Sequence, residues 1–72
     1  MAGKLQEERP YVVIRSNNTP RLFEKASFAA RHAVQELRLN RPVKGFDAYG
    51  ETEEIRASRI AEIKSEFAKF SN

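Results

Sequence analysis

Tyr11-Val12-Val13-Ile14 is the one run of consecutive β-branched and aromatic residues in this 72-residue sequence. Successive side chains of a strand point to opposite faces, so Tyr11 and Val13 face one way and Val12 and Ile14 the other. An apolar run without alternation is typical of a strand covered on both faces. A short chain covers one face with its own helices more easily than two. The second face is therefore expected to be closed by another copy, a partner or the N-terminal arm. The alternative is an ordinary surface position for Tyr11 beside a half-covered Val13.

The residues that follow this run predict a turn and a second strand. The first strand is predicted to end near Arg15. Residues 16–20 favour a turn, because Asn tolerates left-handed φ and the side chains of Ser and Asn bond to nearby backbone. Residues 21–25 are interpreted as the second strand of a β-hairpin with a loop of ordinary length. The alternative is that residues 21–25 begin the next helix early.

A first helix is predicted over residues 28–39, with Ser27 as its N-cap and with Asn40 and Pro42 ending it. At helical spacing it carries a broad apolar stripe of mostly small residues, suited to close packing on a sheet. The members of that stripe are Ala29, Ala30, Ala33, Val34 and Leu37. A second stripe on the opposite side consists of Phe28, His32 and Leu39. A polar ridge between the stripes consists of Arg31, Gln35 and Arg38.

The C-terminal third of the chain predicts a second amphipathic helix. Residues 41–51 form either a short third strand around Val43 or an ordered loop. Thr52 is the expected N-cap of the last helix, and Glu53 and Glu54 lie where the helix dipole favours negative charge. Apolar residues then recur at spacings of three and four, at Ile60, Ile63, Phe67 and Phe70.

These elements predict an α+β fold in a small single domain, with an N-terminal β-hairpin packed by two α-helices in the order ββαα. The domain is expected to span residues 10–72, after a flexible N-terminal arm over residues 1–9. The inner core is expected to consist of Val12, Ile14, Leu22, Ala30, Ala33, Val34, Leu37, Ile60, Ile63, Phe67 and Phe70.

Composition limits the classes of function. The chain has no Cys, which excludes disulfides and thiolate metal sites and fits a cytoplasmic protein. No apolar stretch approaches the length of a membrane span, so no membrane partner is expected. The net charge is +3, but residues 1–46 hold nine Lys and Arg against four Glu, whereas residues 47–72 hold four against six acidic residues. This asymmetry would steer an anionic partner toward the N-terminal two thirds.

Catalysis is not expected, because the chain contains one His, one Asp and three Gly, and no nucleophile-elbow, zinc-protease or phosphate-loop pattern. His32 and Glu36 are four residues apart and could share a proton or a metal. Two ligands do not make a metal site, so neither a metal nor a cofactor is predicted.

The remaining class of function is binding. The first hypothesis is that the chain is a small non-enzymatic protein-interaction module: an adaptor, modulator or inhibitor of a larger macromolecular machine. Aromatic and Arg residues are the usual energetic centres of such interfaces. The candidate contact residues are Tyr11, Val13, Phe28, His32, Leu39 and Tyr49. A homodimer through the first strand or through the Phe28 stripe is part of this hypothesis.

The second hypothesis is a nucleic-acid-binding regulator. Arg reads guanine and Gln reads adenine in a major groove, so the ridge of Arg31, Gln35 and Arg38 could contact bases. Phosphate contacts would come from Arg15, Arg21, Lys25, Arg41 and Lys44. The order strand, helix, helix over residues 11–70 resembles the ribbon-helix-helix repressors. In that family a short turn joins the helices and the strand presents polar side chains, and this chain departs from both features.

Overall fold

Residues 7–71 are described by a computed structural model, and they form a three-stranded antiparallel sheet with two helices. The elements are β1 (Tyr11–Ile14), β2 (Pro20–Phe23), α1 (Ala26–Arg38), β3 (Gly45–Ala48) and α2 (Glu53–Phe70). The predicted α+β class, with an N-terminal hairpin followed by packing helices, is confirmed. The third strand, which the sequence left open, forms at Gly45–Ala48 and not around Val43. The predicted arm over residues 1–9 lies mostly outside the described residues.

β1 is the central strand of the sheet, whose order is β2-β1-β3. In β2, Phe23 pairs with Tyr11 and Arg21 with Val13, and β3 pairs with β1 on the other side. Directly paired residues share a face of an antiparallel sheet. One face therefore carries Tyr11, Val13, Arg21, Phe23, Phe46 and Ala48. The opposite face carries Val12, Ile14, Pro20, Leu22, Gly45 and Asp47.

Both helices pack on the Tyr11–Val13 face, so the predicted choice of core face was wrong. Val13 is fully buried in a cluster with Ala26 and Ala29 of α1 and Ile63 of α2. The physical reason is complementary size. Because α1 faces the sheet with small alanine side chains, the large side chains that fill the core must come from the sheet and from α2. Aromatic rings fill this space, and the rings of Phe46 and Phe67 lie 5.7 Å apart. A shift by one residue exchanges the two faces of a strand.

The opposite face of the sheet is partly shielded within the monomer. Val12 is only 3% exposed, and Ile14 and Leu22 are half-buried. Val12 therefore gives no ground for a second copy or a partner on this face, which were two of the three expected ways of closing it.

The rest of the predicted core is confirmed in part. Ala30, Ala33 and Val34 are buried, as is Ile63. Leu37 was assigned to the core, but it is 47% exposed, because the last turn of α1 directs Glu36 inward instead. Half-buried positions are occupied by Ile60, Phe67 and Phe70.

The two ends of α1 differ in how well the sequence predicted them. The helix begins at Ala26 with Lys25 as N-cap, so the prediction of Ser27 was wrong. At the C-terminus, Asn40 adopts a φ of 62°. The Asn40 amide donates to the carbonyl of Leu37, and the Arg41 amide donates to that of Glu36. This is the Schellman arrangement, in which a left-handed residue satisfies the last carbonyls of a helix.

The start of α2 is held to the sheet. The Thr52 hydroxyl accepts from the Ile55 amide at 3.1 Å, which confirms the predicted N-cap. Arg56 binds Asp47 of β3 at 2.6 Å and Glu53 at 2.8 Å. The short connection before the cap requires Gly50, where a Cβ atom would lie 2.8 Å from the backbone nitrogen of Arg56. Among residues 7–71, neither helix is long and apolar enough to cross a bilayer.

Candidate functional site

Two members of the second stripe, Phe28 and Leu39, lie on the outer side of α1, whereas the ring of His32 turns toward Phe23 of β2. Phe28 is 45% exposed and Leu39 is 53% exposed, whereas His32 is half-buried. Positions 28, 32, 35 and 39 follow the i, i+4, i+7, i+11 pattern of one helix face. We call the exposed residues Phe28 and Gln35, together with Leu39, the C-cap residue of α1, the outer stripe. Lys25 lies beside it, with its ammonium group 5.4 Å from the centre of the Phe28 ring.

The predicted ridge of Arg31, Gln35 and Arg38 does form one surface. These three side chains line a hollow of about 210 Å³ together with Val34 and Phe70. The Arg31 guanidinium lies 5.0 Å from the centre of the Phe70 ring, a cation–π geometry. Phe70 had been assigned to the core, so its contribution to this surface was missed by the sequence.

A second hollow, of about 250 Å³, unites residues that the sequence had placed in different hypotheses. It is lined by Arg15, Ser16, Asn17, Arg21, His32, Glu36 and Arg41. We call it the arginine hollow. Arg15 and Arg21 point to the helix side of the sheet, since Arg15 is two residues beyond Val13 and Arg21 is paired with Val13. Arg41 reaches the hollow because the left-handed Asn40 turns the chain back after α1.

Glu36 is the acidic residue of the arginine hollow. It is 8% exposed, and its carboxylate accepts from the Arg41 guanidinium at 2.8 Å. That hydrogen bond, opposed in part by burial, lowers the pKa of Glu36. Nothing in the sequence indicated that Glu36 is buried. The spacing of four residues between His32 and Glu36 did indicate that these two side chains lie close together.

His32 occupies an electrostatically unusual position in the same hollow. Its ring packs against Phe23, with 5.4 Å between ring centres. Burial lowers the pKa of His32, and the charges of Arg21, Arg15 and Arg41 lower it further, whereas Glu36 acts in the opposite direction. Its Nε2 atom is buried and has no hydrogen-bond partner within the described part of the chain. Such orphaned atoms are uncommon in proteins and call for an explanation.

Tyr11 lies on a third hollow, of about 440 Å³, between β1, the start of α1 and α2. Its hydroxyl donates to the Glu62 carboxylate at 3.1 Å. Burial and the contact with Glu62 raise the pKa of Tyr11. Glu24, Glu62 and Glu66 line this hollow, so its character is acidic, unlike that of the other two.

Three other predicted residues lie apart from these surfaces. Val13 is fully buried, so it is not a contact residue in the folded monomer, and this prediction was wrong. Tyr49 is 38% exposed just after β3, on the edge of the sheet opposite β2. Lys44 is exposed before β3, and its amide donates to the carbonyl of Ile14.

Within residues 7–71, no three His, Cys, Asp or Glu residues lie close enough together to hold a metal ion. No protein family, curated protein or solved structure was found to match this chain. The geometry of its surfaces is therefore the basis for any functional proposal.

Proposed function

We propose that this protein is a non-enzymatic protein-interaction module that docks a partner on the outer stripe of α1. The observation that supports the proposal is the joint exposure of Phe28 in α1, at 45%, and of Leu39, the C-cap residue that directly follows α1, at 53%. Eleven residues separate them, which is about 16 Å along a helix at about 1.5 Å per residue. We propose that it acts in the cytoplasm as an adaptor, modulator or inhibitor of a larger macromolecular machine.

The residue types around these two side chains support the proposal. Single exposed apolar residues are ordinary on a protein surface. Here Gln35 lies between Phe28 and Leu39 along the stripe, and the ridge residues Arg31 and Arg38 border it. Interfaces are enriched in aromatic and Arg residues, while most energy comes from a few anchors. A helix face with anchors at such spacings suits a partner groove or a partner helix. The bordering guanidinium groups favour an acidic rim on that partner.

The sheet is less suited to docking than the helix. β1 has strands on both sides, so it offers no free edge for an added strand. The outer edge of β2 begins with Pro20 and Arg21, and Pro and charge are the usual means of blocking edge pairing. Of the two surfaces first considered for a homodimer, β1 and the Phe28 stripe, we therefore propose the outer stripe.

The test is affinity capture from a nuclease-treated lysate of the source organism with three forms of the full chain. The wild type should retain a defined protein, and the double variant Phe28→Asp, Leu39→Asp should lose it. The matched control is Ile55→Asp, which also places a charge at an exposed apolar side chain, one that is 39% exposed on α2. This control should retain the partner.

Circular dichroism and thermal unfolding of the three forms check that each is folded. Equal capture by the double variant and the wild type would contradict the proposal. Light scattering over a concentration series separates a homodimer from a hetero-complex. A dimer that is lost in the double variant would identify a second copy as the partner.

A second candidate function is nucleic-acid binding, and the ridge favours it specifically. Arg31, Gln35 and Arg38 line one hollow, so the groups that would read bases lie together. In that case affinity should fall steeply with salt and be lost in Arg31→Ala, Arg38→Ala. The absence of any duplex binding at low salt would reject this candidate.

A further inference from the structure

We infer that the arginine hollow is a binding site for the phosphate group of a small phosphate monoester or of free phosphate. The first observation is convergence. Three Arg side chains from separate segments line the one hollow: Arg15 after β1, Arg21 in β2 and Arg41 after α1. Like charges held together repel one another, and such a cluster is stabilised by an anion. This inference does not depend on the proposed docking function.

The charges of the hollow indicate the charge of the ligand. Among the described residues, Glu36 is the one acidic residue that lines the hollow. Its carboxylate forms an ion pair with the Arg41 guanidinium at 2.8 Å. Two positive charges then remain without a counter-charge in the lining. A phosphate monoester carries close to two negative charges at neutral pH, since its second pKa is about 6. A carboxylate or a phosphodiester carries only one.

The donors of the hollow match the geometry of a phosphate. Arg forms two parallel hydrogen bonds to phosphate oxygens, which makes it the preferred residue for planar anion recognition. Ser16 and Asn17 add a hydroxyl and an amide from the turn between β1 and β2. The volume of about 250 Å³ is open to solvent at one side, so the rest of a small phosphomonoester can remain outside.

The orphaned atom of His32 provides the second, independent observation. Nε2 of His32 is buried without a hydrogen-bond partner within residues 7–71, although its side chain lines this hollow. Because Nε2 has no accessible surface in this conformation, a phosphate oxygen would accept a hydrogen bond from it once the ring of His32 turns toward the hollow. The ligand would thereby satisfy a group that the protein alone leaves unpaired.

The test is a titration of the ¹⁵N-labelled full chain with inorganic phosphate, followed by NMR at fixed pH and constant ionic strength. We expect saturating shifts at Arg15, Ser16, Asn17, Arg21 and His32. In separate pH titrations with and without saturating phosphate, we expect the pKa of His32 to be higher with phosphate, because the anion offsets the field of the three guanidinium groups. Glycerol phosphate in place of inorganic phosphate identifies whether the site prefers a monoester or the free ion.

Matched variants distinguish phosphate binding in the arginine hollow from non-specific attraction to basic side chains elsewhere on the surface. Arg21→Gln should weaken phosphate binding by roughly 10- to 100-fold, the effect of losing one hydrogen bond to a charged group. Arg38→Gln removes the same charge from the ridge and should leave binding unchanged. If Arg21→Gln is unfolded in its NMR spectrum, Arg15→Gln replaces it, with the same expected loss.

Three results would overturn the inference. One is a set of shifts that grows linearly with phosphate and spreads over all basic residues. Another is an equal loss of binding in Arg38→Gln. The third is equal binding of dimethyl phosphate, which carries one charge and would indicate a diester site.

Discussion

His32 shows how much the character of one residue depends on its surroundings. The sequence placed it on an outer stripe with Phe28 and Leu39, and its spacing from Glu36 indicated a pair. In the fold, its ring instead packs on Phe23 at the rim of the arginine hollow. Register caused the difference, because Arg21 and Phe23 lie on the helix side of the sheet only when β1 buries Val13. A strand that is apolar on both faces does not indicate which of its faces will be buried under the helices.

The pH dependence of stability should report this environment. Burial and three guanidinium groups hold the pKa of His32 below its ordinary value of about 6.5. Just below that value the unfolded chain binds more protons than the folded chain, so stability is lost as the pH falls. Urea unfolding at intervals from pH 7.5 to pH 5 measures this slope, a range set by the ordinary pKa of His. We expect His32→Gln to flatten it, and an unchanged slope would contradict the environment described.

The corrected core gives a prediction at two matched positions. Ile63 is fully buried, whereas Leu37 is 47% exposed. Truncation of a buried Ile to Ala leaves a cavity, so Ile63→Ala should lower the free energy of unfolding by about 2–5 kcal/mol. Leu37→Ala should cost within about 0.5 kcal/mol, as exposed positions usually do. Denaturant unfolding measures both, and equal losses would return Leu37 to the core.

At the scale of elements, the sequence predicted the start of α2 and the end of α1 from residues that commonly lie at helix ends. Thr52 was identified before α2, and its hydroxyl does accept from Ile55. Asn40 was identified after α1 together with Pro42, and it does lie just beyond the helix, but its left-handed φ was not foreseen. Ser27 was wrong because β2 ends at Phe23 and α1 begins at Ala26, with Lys25 as an N-cap whose side chain makes no capping hydrogen bond. β3 could not be located, since Gly45–Ala48 has a weak strand signal and is fixed by pairing with β1.

The cap of α2 supplies the prediction for this scale. Thr52→Ala removes the side chain that satisfies an orphan amide of the first turn. It should lower the free energy of unfolding by about 1 kcal/mol. Ser58→Ala, at an exposed position inside the same helix, is the control and should be close to neutral. A loss at Thr52 no larger than at Ser58 would show that the cap does not stabilise the fold.

For the whole molecule, placement of both helices on one side of the sheet determines which residues remain for binding. That placement buries Val13 and leaves the outer side of α1 in solvent. The sequence anticipated the exposure of Phe28 and Leu39, because helical spacing separates them from the alanine face. It did not anticipate the arginine hollow, since Arg15, Arg21 and Arg41 come from segments that only the tertiary fold brings together.

The most direct test of the outer stripe is photo-crosslinking at single positions. Benzoylphenylalanine replaces Phe28 in one form of the full chain and Ile55 in another, and both are irradiated in lysate of the source organism. The account predicts a defined protein adduct from position 28 that is absent from position 55. No adduct from position 28, or the same adduct from both positions, would contradict docking on α1.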